Sequence, residues 1–189
     1  KNTLIRDGVP SIINPDDKAG IELALQIKET VPGSTLTVVS MGPPQAEVAL
    51  REALAMGCDD GILISDRAFG GADTWATSST IAGALRNLEY DIIIAGRQAI
   101  DGDTAQVGPQ IAEHLQIPQI SYCEELHVED GKFIVKRQFE DRYHIIEIKP
   151  PCLITTLSEE ITPRYMSVGG IFNAYKKDIK VWGLKDIED

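Results

Sequence analysis

This chain of 189 residues contains few cysteines and fewer basic than acidic residues. The three cysteines, Cys58, Cys123 and Cys152, are far apart and form no Cys-x-x-Cys pair, so we expect neither a disulfide framework nor a zinc knuckle. Lys and Arg number 18 against 29 Asp and Glu. The net charge of −11 argues against nucleic-acid binding, because such modules are usually basic on at least one face. No apolar run approaches the ~20 residues that span a bilayer, so we expect a globular protein of the cytoplasm without membrane insertion.

Several motifs of catalysis and phosphate binding are missing as well. The chain has neither a P-loop nor the Gly-x-Gly-x-x-Gly fingerprint, which excludes phosphate binding by those two devices. It has no nucleophile elbow for Ser-His-Asp catalysis. His114, His127 and His144 have no Cys or His nearby at metal-ligand spacing, so we expect packing or surface roles and no metal site. Asp101 and Asp103 are more typical of caps and turns than of an acid-base pair, so no catalytic residue is predicted.

Strand-like and helix-like segments alternate over the first two thirds of the chain. Asn14 is predicted to cap a helix that starts at Pro15, and Gly57 to end the next helix. The β-branched run at 92–94 predicts a strand buried on both faces, as in parallel sheets. Strands separated by single helices favour a right-handed, doubly wound, mostly parallel sheet of the Rossmann-like α/β class.

The hydrophobic period changes to two residues after Leu126, which indicates antiparallel strands. Asp130-Gly131 predicts a tight hairpin turn there, and a short helix is expected around 171–176. We therefore expect an α/β domain over residues 1–125 and an antiparallel extension of the same domain over 126–189. The chain opens at Lys1 within what reads as a strand or loop, and we interpret this as a missing N-terminal strand.

Three loops are predicted at one edge of the sheet, at 40–44, 65–73 and 96–104, where such sheets bind ligands. In the last of them a helix is expected from about Thr104 to Leu115, so that amides after Asp103 and the helix dipole favour an anion. Gly102 would let the backbone approach that anion closely. Capping by Asp103 or Thr104, with Gly102 only relieving a tight turn, is an equally good interpretation. Stacking of Phe69 and Trp75 on an aromatic ligand is a weaker hypothesis than a role in the core.

Three blocks of sequence carry a resemblance to a known family. They read "VSMGPPQAEVALREALAMGCDDGILISD" (39–66), "GRQAIDGDTAQVG" (96–108) and "PRYMSVGGIFNAYKKDI" (163–179), and they occur in family order. The chain is similar over nearly its whole length to the beta subunits of electron transfer flavoproteins. This resemblance implies a sheet of the adenine-nucleotide-binding type, with the cofactor on residues 1–125 and partner contacts on 126–189.

The resemblance also implies the cofactor. Family members hold structural AMP or, in the electron-bifurcating branch, FAD, and "SDRAFGGADTWATS" and "GRQAIDGDTAQVGP" resemble the FAD-holding form. AMP-holding members typically carry Lys where Arg97 stands. The implied phosphate-binding turn runs from Asp101 to Val107, and Arg97 would lie near the isoalloxazine and stabilise reduced anionic flavin. The implied cofactor-binding residues are Asn14, Ser40, Met41, Phe69, Gly71, Asp73, Thr74, Arg97, Asp101, Gly102, Asp103, Thr104, Ala105, Gln106 and Val107.

The partners implied are an alpha subunit that carries an electron-transferring FAD, an acyl-CoA-dehydrogenase-like or other dehydrogenase or reductase, and ferredoxin or flavodoxin. NADH is the expected electron donor. Two features depart from the family. The chain lacks the family's first strand and the Lys, Gln, Pro and Asp-rich loop after it, and the docking leucine that precedes "PRY" is replaced by Glu160 with Ile161 beside it.

Overall fold

The structure is a computed structural model that describes residues 9–187, so the expected N-terminal strand or loop lies largely outside the described residues. The helices are α1 Pro15–Thr30, α2 Glu47–Met56, α3 Thr74–Leu85, α4 Val107–Leu115 and α5 Val168–Ala174. The strands are β1 Thr37–Met41, β2 Asp60–Ile64, β3 Ile92–Gly96, β4 Gln119–Glu129, β5 Lys132–Gln138, β6 Tyr143–Ile148, β7 Cys152–Thr156 and β8 Ile179–Trp182.

The strands form two sheets. A parallel sheet has the order β1-β2-β8, and a mixed sheet has the order β3-β7-β4-β5-β6. In the mixed sheet β3, β7 and β4 are parallel, while β4, β5 and β6 form an antiparallel meander. Asp130 and Gly131 both have positive φ in the turn between β4 and β5, as predicted for that hairpin. The α/β class with antiparallel strands is therefore confirmed.

Helices cover both faces of the mixed sheet. Ala19 and Leu23 of α1 pack in one cluster with Ile154 of β7, whereas Ile111 of α4 packs in another with Leu153. Because neighbouring residues of a strand point to opposite faces, α1 and α4 lie on opposite sides of β7. This is the doubly wound arrangement that the alternation of elements predicts.

The segment after residue 126 contributes more than an antiparallel extension. β7 lies between β3 and β4, pairs with both in parallel, and is buried along its whole length. β8 likewise pairs in parallel with β2. The predicted antiparallel strands are β4, β5 and β6, whereas β7, which the two-residue period also groups with them, pairs in parallel with both of its neighbours. β4 also runs unbroken across residue 125, and the division of the chain at that residue stays a prediction.

β3 is less buried than its sequence predicts. Its five residues are all only half-buried, although Ile92–Ile94 reads as a strand buried on both faces. Within residues 9–187, β3 pairs with β7 on one edge only, and β1 pairs with β2 on one edge only. A strand at the end of a sheet keeps part of its side chains and one row of backbone groups accessible, which explains the difference.

Two helices start at other residues than predicted, and α1 starts at Pro15 as predicted but without the expected capping bond. α4 begins at Val107 rather than Thr104, because Asp103 and Ala105 adopt positive φ and cannot belong to a right-handed helix. α5 begins at Val168, where the side chain of Ser167 accepts a hydrogen bond from the Gly170 amide. Asn14 precedes α1 without accepting a capping hydrogen bond from its backbone. Gly57, with φ of 132°, ends α2 as predicted.

The three cysteines are free and buried in the core. Burial raises the pKa of Cys58 and of Cys123 to about 12 and that of Cys152 to about 11. All three are therefore thiols at neutral pH and not nucleophiles. Over the described part of the chain no helix combines the length and apolar character that crossing a membrane requires.

Arg164, in the segment after β7, is hydrogen-bonded to two glutamates of helix α1. Its backbone amide and its Nε both donate to Oε2 of Glu22, at 3.0 and 2.9 Å, and Nη2 donates to Oε1 at 3.0 Å. Its Nη1 donates to Glu29. Burial alone would raise the pKa of Glu22, but the hydrogen bonds and charge of Arg164 outweigh it and hold that pKa below its ordinary value.

We expect Glu22→Gln to lower the free energy of unfolding by about 2 kcal/mol at pH 7, the scale of a charge-assisted hydrogen bond. A carboxylate whose pKa is depressed by folding contributes stability that is present above its unfolded pKa of about 4.5 and lost as the pH falls through the folded value. The difference between variant and wild type in urea unfolding should therefore shrink below pH ~4.5.

Glu29→Gln is the matched control, because Glu29 binds the same arginine but is 59% exposed. Its effect should be much smaller than that of Glu22→Gln. Equal losses in the two variants, or a loss at Glu22 that does not change with pH, would contradict the assignment.

Candidate functional site

The loop from Arg97 to Gln106 joins the carboxyl end of β3 to α4, and its backbone alternates in handedness. Asp103 has φ of 51° and Ala105 has φ of 53°, whereas Gln106 has φ of −108° and ψ of −32°. A non-glycine residue in the left-handed region costs roughly 1–2 kcal/mol, so two of them two residues apart store strain in this loop. Strain of this kind is found mostly where a binding site requires it.

A left-handed residue followed by a right-handed one turns successive amides toward the same side, and such a concavity binds anions. Within residues 9–187 the amides of Thr104 and Ala105 have no hydrogen-bond acceptor. The first amides of α4 add to them, since the start of a helix leaves its N–H groups unpaired. The anion-binding interpretation of the loop is therefore physically available, with the amides coming from the left-handed turn as well as from the helix.

Neither Asp103 nor Thr104 caps α4. The flanking residue is Gln106, which makes no capping hydrogen bond to α4 through its side chain. The carboxylate of Asp103 instead accepts from the side chain of Gln98, and the Asp103 amide donates to the carbonyl of Ala99 at 2.8 Å. The alternative that this loop is only a helix cap is thus wrong. Gly102 does not have positive φ, and a Cβ at that position would meet no atom of the described residues within 4 Å, so these residues do not require glycine there.

The start of α1 is bonded to the other end of the same loop. The side-chain amide of Asn14 donates to the carbonyl of Gln98 at 2.8 Å and to Asp17 at 2.8 Å. Asp17 in turn accepts the amide of Gly96 at 2.5 Å. Burial raises the pKa of Asp17, although the Gly96 amide and Asn14 act in the opposite direction. Asn14, which the resemblance assigns to the cofactor, is therefore next to the loop, but its amide group holds the loop in place.

Arg97 lies between two carboxylates. Its Nε is 3.5 Å from Oδ2 of Asp16, and its Nη1 is 3.4 Å from Oε1 of Glu159. The Nε atom is buried, and its contact with Asp16 does not have hydrogen-bond geometry. Asp16 is itself fixed by the amide of Ser158, which donates to Oδ1 at 3.0 Å. The arginine therefore brings a cation to the edge of the sheet, with part of its charge offset.

The loop after β2 reaches the same place. Asp73 caps α3 by accepting the amide of Ala76 at 2.8 Å, and the hydroxyl of Thr74 lies 3.2 Å from the side-chain oxygen of Gln106. Gly71 has φ of 80° with open space around it. Trp75 is 62% exposed and contacts His114 edge-on at 4.6 Å between ring centroids, so it does not fill the core. This exposure leaves the stacking hypothesis open for Trp75, while Phe69 is half-buried.

Ser40 and Met41 lie at the carboxyl end of β1, paired in register with Leu63 and Ile64 of β2. They are half-buried, and none of the described hydrogen bonds or ion pairs joins their side chains to the loop after β3. At the position of the family's docking leucine, Ile161 is buried and belongs to the core cluster under α1, whereas Glu160 is exposed.

The residues that sequence reasoning missed are Asp16, Asp17, Ser158 and Glu159. The two aspartates read as first-turn acids that complement the helix dipole. Their partners lie 79 to 142 positions along the chain, so no local pattern reveals them. The described residues contain no group of His, Cys, Asp and Glu that could hold a metal ion.

The fold is an α/β type with helices on both faces of a sheet, and ligands of such sheets bind at the carboxyl ends of parallel strands, where this loop lies. The model of the electron transfer flavoprotein domain matches residues 1–187. The chain is 57% identical over 188 residues to the "Electron transfer flavoprotein subunit beta" of Clostridium acetobutylicum, which covers 100% of this chain and 72% of that protein.

Two further relatives carry names of larger complexes. "Caffeyl-CoA reductase-Etf complex subunit CarD" of Acetobacterium woodii is 56% identical over 186 residues, covering 98% of this chain and 71% of that protein. "Acryloyl-CoA reductase electron transfer subunit gamma" of Anaerotignum propionicum is 49% identical over 191 residues, covering 99% and 71%. The chain belongs to the electron transfer flavoprotein family, and the resemblance inferred from its motifs is confirmed at that level.

Gly96 can be tested as the closest approach between α1 and β3. A Cβ there would lie 2.8 Å from the Asp17 nitrogen and 2.9 Å from both Nδ2 of Asn14 and Cβ of Asp16. We expect Gly96→Ala to destabilise the protein by about 1–3 kcal/mol in urea unfolding, because backbone must move. Gly102→Ala is the matched control and should be near neutral. A well-tolerated Gly96→Ala would show that the start of α1 is not held against β3.

Proposed function

We propose that this chain is the beta subunit of an electron transfer flavoprotein and that the edge described above holds FAD. The observation that carries the proposal is the meeting of two loops, marked by the contact of 3.2 Å between Thr74 and Gln106. One loop supplies the amide concavity at Thr104 and Ala105, and the other supplies a capped helix start and the open Gly71 turn. Two such elements side by side would fit FAD, in which a diphosphate joins the adenosine to the flavin ring system.

Each group in the site has a definite part in this proposal. The amides of Thr104 and Ala105, with the first amides of α4, would bind phosphate oxygens, and the dipole of α4 would favour their charge. Arg97 would stand near the flavin and favour its reduced, negatively charged form. Asn14 and Asp17 hold the carboxyl end of β3 in place, and Ser40 and Met41 would line the adenosine end. FAD, when bound, supplies two-electron chemistry with NADH as the proposed donor.

The second candidate is a structural subunit that holds AMP and leaves electron transfer to the FAD of its partner. AMP needs only one phosphate site, and the concavity at Thr104 and Ala105 would satisfy it. The loop around Gly71 and the exposed ring of Trp75 then have no ligand to contact. For that reason we favour FAD, and with it the electron-bifurcating branch of the family.

In this proposal the chain works in a complex. An alpha subunit would carry the second FAD and pass one electron to an acyl-CoA-dehydrogenase-like enzyme or another dehydrogenase or reductase, and ferredoxin or flavodoxin would receive the other. The names of the relatives from Acetobacterium woodii and Anaerotignum propionicum include CoA-ester reductases, which supports a reductase partner. The antiparallel meander offers exposed Tyr143 and Ile145 as contact surface. The proposed location of this complex is the reducing cytoplasm.

The proposal is tested by identifying the ligand. We expect the full-length protein, co-expressed with its alpha subunit, to copurify with it and to release two FAD molecules per heterodimer on acid treatment, as measured by mass spectrometry. Anaerobic titration with NADH should bleach the flavin of this subunit. One FAD and one AMP per heterodimer would favour the structural alternative, and a chain that stays monomeric beside its alpha subunit would contradict the proposed complex.

Gly102→Val tests the concavity without disturbing the fold. A Cβ at this position would meet no atom of residues 9–187 within 4 Å, so we expect the effect of valine to come from crowding the ligand. We expect the heterodimer to keep its urea unfolding midpoint and to lose most of the cofactor from this subunit, as measured by ligand content after gel filtration. A variant that retains the cofactor with unchanged affinity would place the phosphates elsewhere.

A further inference from the structure

We propose that Asp16 is a positioning residue for the site: a buried counter-ion that fixes the guanidinium of Arg97 and sets how much of its positive charge a flavin experiences. The inference rests on the proposed function, because it concerns the cofactor that the site would hold. Its basis is the geometry at the junction of α1, β3 and β7, which is independent of any ligand.

Asp16 is held in place by two hydrogen bonds that do not involve Arg97, one to its carboxylate and one to its backbone carbonyl. Asp16 is only 5% exposed, and its Oδ1 accepts the amide of Ser158 at 3.0 Å. The hydroxyl of Thr156 donates to its backbone carbonyl at 2.7 Å. Its Oδ2 lies 3.5 Å from Nε of Arg97, which is an ion-pair distance without hydrogen-bond geometry. A carboxylate anchored in this way is a fixed charge to which a long side chain must adapt.

The two carboxylates beside Arg97 differ in how strongly they act. The side chain of Asp16 is 7% exposed, whereas that of Glu159 is 51% exposed. Water and salt screen the exposed pair, while the buried charge is screened much less. At nearly the same distance from the guanidinium, 3.5 Å against 3.4 Å, Asp16 is therefore the dominant counter-charge.

The backbone of Arg97 is fixed by the same elements. Its amide donates to the carbonyl of Thr156 at 2.9 Å, and the preceding amide, of Gly96, is bound by Asp17. With its backbone held and its Nε buried beside Asp16, the arginine starts from a fixed point at the sheet edge. Asp17 adds a second carboxylate near Asp16, but its oxygens are occupied by Gly96 and Asn14.

The decisive variant is Asp16→Asn. Its side-chain oxygen can still accept the Ser158 amide, so the anchor stays while the negative charge is removed. We expect the equilibrium for flavin reduction to shift about tenfold toward the reduced form, which is ~30 mV for a two-electron couple. Arg97→Gln should shift it in the opposite direction. Glu159→Gln is the matched control and should shift it by much less.

A double-mutant cycle separates action through Arg97 from a direct effect. If Asp16 works by positioning Arg97, then Asp16→Asn should change the flavin potential little in the Arg97→Gln background. Dye-equilibrium titrations of the four full-length heterodimers measure this. Additive shifts in the double variant, or equal shifts for Asp16→Asn and Glu159→Gln, would overturn the inference.

A second readout does not need the cofactor. In protein labelled with ¹⁵N-arginine, the Nε–H signal of Arg97, assigned by its loss in Arg97→Gln, should move and exchange faster with water in Asp16→Asn but not in Glu159→Gln. If the signal does not change in Asp16→Asn, the ion pair is refuted, whether the site binds FAD or AMP. If the ligand is AMP and the signal responds as expected, the FAD proposal is refuted and the positioning role of Asp16 is supported. Asp16→Glu, which keeps the charge, should restore slow exchange.

Discussion

The site depends on one contact, the docking of the first turn of α1 onto the carboxyl ends of β3 and β7. Asp17 binds the amide of Gly96, and Asp16 binds the amide of Ser158, so one helix turn joins two neighbouring strand ends. These amides lie just where the ladder of a parallel sheet stops, and each would otherwise lack a partner. By accepting these two amides, the carboxylates offset part of the free-energy cost of their own burial.

The closeness of that contact is made possible by small residues. Gly96 leaves room for the backbone of Asp17, and Gly20, one helical turn further, lies against Ile94 and Thr156. On the opposite face Gly108 lets α4 approach Thr155 in the same way. The strands β3 and β7 are thus clamped between two helices near the point at which the loop to α4 leaves the sheet. A strained loop with residues at positive φ needs such a rigid support.

Helix α1 also organises the far side of the molecule. Glu22, one turn and a half beyond Asp16, binds Arg164 through three hydrogen bonds and so fixes the segment that leads to α5. That segment exposes Tyr165, Val168 and Phe172. A single helix with three buried or half-buried acids therefore connects the candidate cofactor site with an exposed apolar surface, in a chain of net charge −11.

The sequence by itself determined the elements whose causes are local. The hydrophobic periods predicted the α/β class, Gly57 predicted the end of α2, and Asp130-Gly131 predicted the hairpin. Each of these depends on residues within one turn or one strand of each other. The family motif at 96–108 likewise identified the loop, because the motif is contiguous.

Only the tertiary structure decided where distant segments meet. β7 reads like part of the antiparallel run that precedes it, yet it inserts in parallel between β3 and β4, since strand order follows from how both faces are covered and not from local period. Because Asp103 and Ala105 are left-handed, α4 begins at Val107 and not at Thr104. The partners of Arg97 are set by a helix about 80 residues before it and a loop about 60 residues after it. Such ion pairs have no signature in sequence because the charges become neighbours only once the chain has folded.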